Sequence, residues 1–103
     1  MPGTSKYLMH SLPSEVAEYL DEIADGMVAR YGIPLAEAVA RVNAQWQDMT
    51  FDDEDDLIFH ELPDYWAGLI YYGRDVPFWD PDADSSSWHP RPAPPAASPA
   101  WTL

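Results

Sequence analysis

The sequence predicts an all-α fold: a small bundle of three to four helices followed by a disordered Pro/Ala-rich C-terminal tail. Three observations lead there. Apolar residues recur at helical spacings over two consecutive stretches. Gly and Pro stand where helices stop and start, at Gly32-Ile33-Pro34 and at Gly73. From Ser85 to Leu103 the chain is rich in Ser, Pro and Ala and has no periodicity. The implied division is a flexible N-terminus over 1–10, an acidic helical domain over 11–80 and a tail over 81–103.

Each element has its own signal. Ser11 and Ser14 mark the first helix start, with Pro13 tolerated in the first turn. Val16, Leu20, Ile23, Met27 and Tyr31 then form one apolar stripe, and Gly32 is placed to cap it. Gly26 lies inside that helix, where a glycine costs about 1 kcal/mol against alanine, but the stripe continues in phase through it. Pro34 opens a second helix, lined on one side by Leu35, Ala38, Val39, Val42 and Trp46 and fraying near Gln47 and Asp48. Asp52 or Asp53 caps a short third helix, Asp55 to Glu61, which Pro63 stops or kinks. A fourth segment, Tyr65 to Tyr72, starts near Leu62 or Asp64 and closes at Gly73. Phe78 and Trp79 read as a last anchor folding back over the helices.

Charge narrows the function. The formal net charge is −13 over 103 residues. Between Asn43 and Asp84 twelve carboxylates face Arg74 alone. Such a field repels nucleic acid and anionic lipid and attracts basic surfaces. The absence of Cys excludes a disulfide staple and thiolate chemistry and suits a cytoplasmic protein. Met1 to Leu12 lacks the apolar run of a signal peptide, and no stretch reaches the ~18 apolar residues of a membrane span. The aromatic share, 14%, argues for a real core despite the charge.

The motifs that promise chemistry fail on spacing. His60-Glu61 resembles the start of a zinc-binding H-E-x-x-H helix, but the fourth position is Asp64 and Pro63 interrupts the turn. Asp52 to Asp56 and Asp80 to Asp84 have the charge of calcium loops without the glycine at position six or the glutamate at twelve. Ser85, Ser86, Ser87 and His89 lie in the tail, without a scaffold to align them. The reading is therefore of a protein that is not an enzyme and needs no metal or cofactor.

Two patterns point to binding instead. Glu15, Glu18, Glu22 and Asp25 form a negative line beside the apolar stripe of the first helix. Like charges at these spacings cost roughly 0.2–0.5 kcal/mol per pair. Tyr65, Trp66, Tyr71, Tyr72, Phe78 and Trp79 crowd a short span, and Trp and Tyr dominate binding hot spots. Most of them are needed for the core. If any is exposed, Tyr71 or Tyr72 is the choice, because adjacent helical residues cannot both face one core.

The run from His60 to Gly73, HELPDYWAGLIYYG, following Ala38 to Trp46, AVARVNAQW, resembles small uncharacterised helical proteins of actinobacterial type. The resemblance spans about half the chain and implies a compact bacterial domain without implying a chemistry. The leading expectation is an acidic cytoplasmic protein that inhibits or regulates a basic partner, as immunity proteins, antitoxins or DNA mimics do. That partner is a toxin or a nucleic-acid-binding protein, with no direct contact to nucleic acid or membrane. Its contact residues are Glu15, Glu18, Glu22, Asp25, Asp52, Asp53, Glu54, Asp55, Asp56, Tyr71 and Tyr72. The alternative is an accessory helical module that binds another subunit through a Trp/Tyr face, its acidity serving solubility.

Overall fold

A computed structural model of the chain describes residues 6–8, 14–46, 61–73, 76–80, 82–84, 86 and 88–103. Among these the regular elements are three helices: α1 (Ser14–Tyr31), α2 (Leu35–Trp46) and α3 (Pro63–Tyr72). The expected short helix at 55–61 falls almost wholly outside the described residues. Glu61, at its end, lies in a bend before α3.

Helix α1 is the hub and packs against both α2 and α3, which touch each other less. Val16, Leu20, Ile23 and Met27 of its stripe are fully buried, so the spacing of apolar residues in the sequence is the spacing of the core. Gly32 takes a φ of 69°, in the left-handed region that Gly enters without steric cost, and its N–H donates to the Val28 carbonyl at 3.1 Å. Three residues later α2 begins, with the Pro34 carbonyl accepting from Ala38 N–H at 3.0 Å. Ala38, Val39, Val42 and Trp46 face the core as the periodicity requires; Leu35, expected with them, is exposed in the first turn.

Pro63 begins α3. It occupies the first turn of α3, where its missing N–H is no loss, behind Leu62 as the capping residue. Gly68 lies midway along α3 against the Phe78 ring. A Cβ there would stand 2.3 Å from Phe78 Cδ2, so only glycine admits the ring this close.

The composition of the two chain ends suggested a flexible lead-in and a disordered tail. In the structure both are hydrogen-bonded to α2 through Asn43, which is fully buried. Its Oδ1 accepts from Leu8 N–H at 2.9 Å, and its Nδ2 donates to the carbonyls of Lys6 at 3.0 Å and Ala100 at 2.9 Å. Thr102 Oγ1 adds a 2.6 Å bond to the Lys6 carbonyl, and Ala100 is buried. The physical reason is polar and not periodic. One side-chain amide supplies partners to backbone groups from both ends, which apolar patterning does not register. Alongside, Tyr7 is buried and its hydroxyl donates to Asp21 at 2.6 Å, where Lys6 Nζ also pairs at 2.8 Å.

Candidate functional site

Two aromatic clusters lie at opposite ends of α3, and only one is open. At the C-terminal end Tyr31 stacks on Tyr71 with centroids 4.0 Å apart and planes 3° from parallel. Tyr72 meets the two rings edge-on at 5.4 and 4.9 Å, and Trp88 closes on Tyr72 at 5.5 Å. The Arg41 guanidinium, only 7% exposed, lies 4.9 Å over Tyr71. It donates through Nε and Nη2 to Glu37, each at 2.9 Å, and through Nη1 to the Arg91 carbonyl at 2.9 Å. Arg91 N–H returns a 2.8 Å bond to the Tyr71 carbonyl. The C-terminal strap, residues 88–103, therefore seals this cluster. Burial raises the hydroxyl pKa of Tyr31, with the Tyr72 hydroxyl adding to it, and burial followed by the influence of Tyr71 raises that of Tyr72.

Tyr71 or Tyr72 was the aromatic expected to be exposed if any is. Both are half-buried, and their ring faces and edges are spent on Tyr31, Arg41 and Trp88. Two neighbours on one helix can both be covered here because the strap supplies a second wall beside α1.

At the N-terminal end of α3 the arrangement differs. Trp46, Trp66, Tyr65, Phe78 and Trp79 form an unbroken ladder of ring contacts, each 5.2–5.5 Å between centroids, from the core to the surface. The last two sit at the corner of a β-turn, Pro77 to Asp80, closed by Asp80 N–H on the Pro77 carbonyl at 3.1 Å. The two rings meet edge-on and have different surroundings. Phe78 seats on Gly68, and Trp79 stands outward at 61% exposure. The sequence reading placed both as anchors, whereas the structure anchors Phe78 and presents Trp79. Leu62, beside them, is 76% exposed.

Around these residues run two grooves of about 280 and 350 Å³ that share Tyr65, Phe78 and Trp79. The first carries Glu61, Asp64 and Arg30 on its rim, with Arg30 Nη2 2.8 Å from Asp64 Oδ2. Exposed ion pairs of this kind contribute about 0–1 kcal/mol. Asp80 follows Trp79 directly, and its Oδ1 accepts from Asp82 N–H at 2.9 Å.

Glu15, Glu18, Glu22 and Asp25 all emerge on the exposed side of α1, opposite its apolar stripe. Tyr19 links that line to the open cluster. Its hydroxyl hydrogen-bonds to the Glu61 carbonyl. Its pKa is pushed up to about 12, by burial first, against a hydrogen bond from Trp66 and with the charges of Glu61 and Glu22 adding. Asp52, Asp53, Glu54, Asp55 and Asp56 lie outside the described residues, as does His60.

Among the described residues no group of His, Asp or Glu is arranged to hold a metal ion, and no helix is long and apolar enough to cross a membrane. No protein-family model, curated protein or solved structure matches the chain. Trp79 and Leu62 are the exposed site residues that sequence reasoning did not single out. The signal was present in Pro77-Phe78-Trp79-Asp80-Pro81, an aromatic pair bracketed by prolines, which fixes a tight turn and leaves a corner residue without a covering neighbour.

Proposed function

We propose that the chain is a small acidic binding protein of the bacterial cytoplasm that inhibits or regulates a basic partner protein. The partner docks on the surface around Trp79 and Leu62. The single observation that carries this is an outward tryptophan on a rigid turn, bordered by an exposed leucine and rimmed by carboxylates. Trp in a desolvated central position is the commonest kind of binding hot spot. The carboxylates of α1 extend the negative field over about 15 Å of helix, and such fields speed encounter with a cationic partner and reject anionic ones. This supports an antitoxin- or immunity-like protein, or a DNA mimic, in preference to a module that itself touches nucleic acid.

A second reading keeps the same patch and drops the electrostatics. Glu15, Glu18, Glu22 and Asp25 are exposed, and the ion pairs among the described residues fall instead on Asp21, Asp64 and Glu37, as they would if those four served solubility alone. An accessory module of this kind binds through Trp79 without dependence on salt. Affinity capture from extract of the source cells separates the two readings. Wild-type protein is compared with Trp79→Ala and with Glu15→Lys/Glu18→Lys/Glu22→Lys, from about 0.05 to about 0.5 M salt. The first reading expects a basic protein that is lost with either variant and at high salt. Retention of the same partner by the charge-reversed variant at every salt concentration assigns the acid to solubility.

A further inference from the structure

We infer that the open aromatic slot between Tyr65, Phe78 and Trp79 is a receptor for an arginine side chain of the partner, its guanidinium stacked on the rings and paired with Glu61 and Asp64. The inference rests on the docking reading above and names the chemistry of its anchor. Its support is a juxtaposition. One groove is walled by Tyr65, Trp66, Leu69, Phe78 and Trp79, and the adjoining groove, sharing three of those residues, is also lined by Glu61 and Asp64. A planar cation matches both features at once, because it is attracted to ring faces and forks onto carboxylates; a neutral apolar side chain uses only the first. Lysine, a strongly hydrated point charge, fits a flat slot less well than guanidinium.

The molecule already holds one guanidinium in this way. Arg41 lies over Tyr71 at 4.9 Å and forks onto Glu37 at 2.9 Å. At the open slot the same three components recur, ring, carboxylate and guanidinium, except that Arg30 reaches Asp64 from the rim and is half exposed. Arg30 is therefore a competitor in place: it neutralises part of the carboxylate charge that an incoming arginine would use.

The test titrates the full-length protein with the peptide acetyl-Gly-Arg-Gly-amide and, as the neutral isostere, its citrulline counterpart. The readout is the assigned Trp79 indole and Tyr65 ring resonances. The expected result is a saturable shift with the arginine peptide and binding about tenfold weaker with citrulline. Glu61→Gln with Asp64→Asn weakens the arginine peptide severalfold, and Arg30→Gln strengthens it. Equal binding of the two peptides, no saturable shift, or weakening by Arg30→Gln overturns the inference. Should the slot reject the peptide while Trp79→Ala still abolishes partner capture, the arginine anchor falls and the docking reading stands. Should the peptide bind while partner capture ignores Trp79, the docking reading falls and the slot chemistry stands.

Discussion

Tyr31, Tyr71 and Tyr72 at one end of α3 and Tyr65, Phe78 and Trp79 at the other are similar in composition and opposite in state. The first group is closed on one side by Arg41 and on another by the strap, and every ring in it has a neighbour. The second is supported from beneath by Gly68 and Trp66 and ends in a ring that faces solvent. Aromatic content alone therefore does not distinguish a covered cluster from an exposed one. The difference lies in what covers the rings: a buried cation with backbone partners in one case, a rim of carboxylates in the other.

The largest effect should come from breaking the closed cluster. Arg41→Ala leaves Glu37 without its cation and the Arg91 carbonyl without its donor. It should cost roughly 3–5 kcal/mol, as removal of one partner from a buried ion pair does, read as a shift in urea midpoint. Asn43→Ala, which cuts the strap's second fastening, should cost about 1–3 kcal/mol. It should also speed amide exchange at Leu8, whose N–H loses its acceptor. Gly68→Ala perturbs the open cluster from below. The new Cβ displaces the Phe78 ring, at about 1–2 kcal/mol and with loss of the Trp79-dependent partner.

Alkaline titration sharpens the same contrast. The folded pKa values of Tyr31 and Tyr72 lie above their ordinary value. Their contribution to stability is thus fully present below about pH 10 and lost as pH rises through the folded values. Tyrosinate absorbance at these two residues should lag behind that of the unfolded chain, and unfolding should accompany it. The smallest structural effect belongs to Trp79→Ala. As an exposed substitution it should change stability by less than about 0.5 kcal/mol while removing the partner. A large loss of stability would make Trp79 part of the core and erase the contrast between the clusters.

The three helices and most of the core were legible in the sequence, because Val16, Leu20, Ile23, Met27, Ala38, Val39, Val42 and Trp46 follow the helical period and are buried. Arg41 and Asn43 were not. Polar residues on a helix read as solvent-facing, and these two are buried because carbonyls of Lys6, Arg91 and Ala100 come to them from segments with no period of their own. The acidic line of α1 was legible as a face, since spacings of three and four put its members on one side. The exposure of Trp79 was not, because periodicity says nothing about the corner of a turn. The cover over Tyr71 and Tyr72 was not legible for a related reason: the strap is long-range in sequence and apolar spacing cannot see it.

Site-specific photo-crosslinking compares the two clusters most directly. A photoreactive phenylalanine analogue is placed at Trp79 in one protein and at Tyr71 in another, and each is irradiated in the source cells. The account predicts a single crosslinked product from position 79, to a protein with a basic surface, and none from position 71. Equal crosslinking from both positions, or a product from position 71 alone, would contradict it.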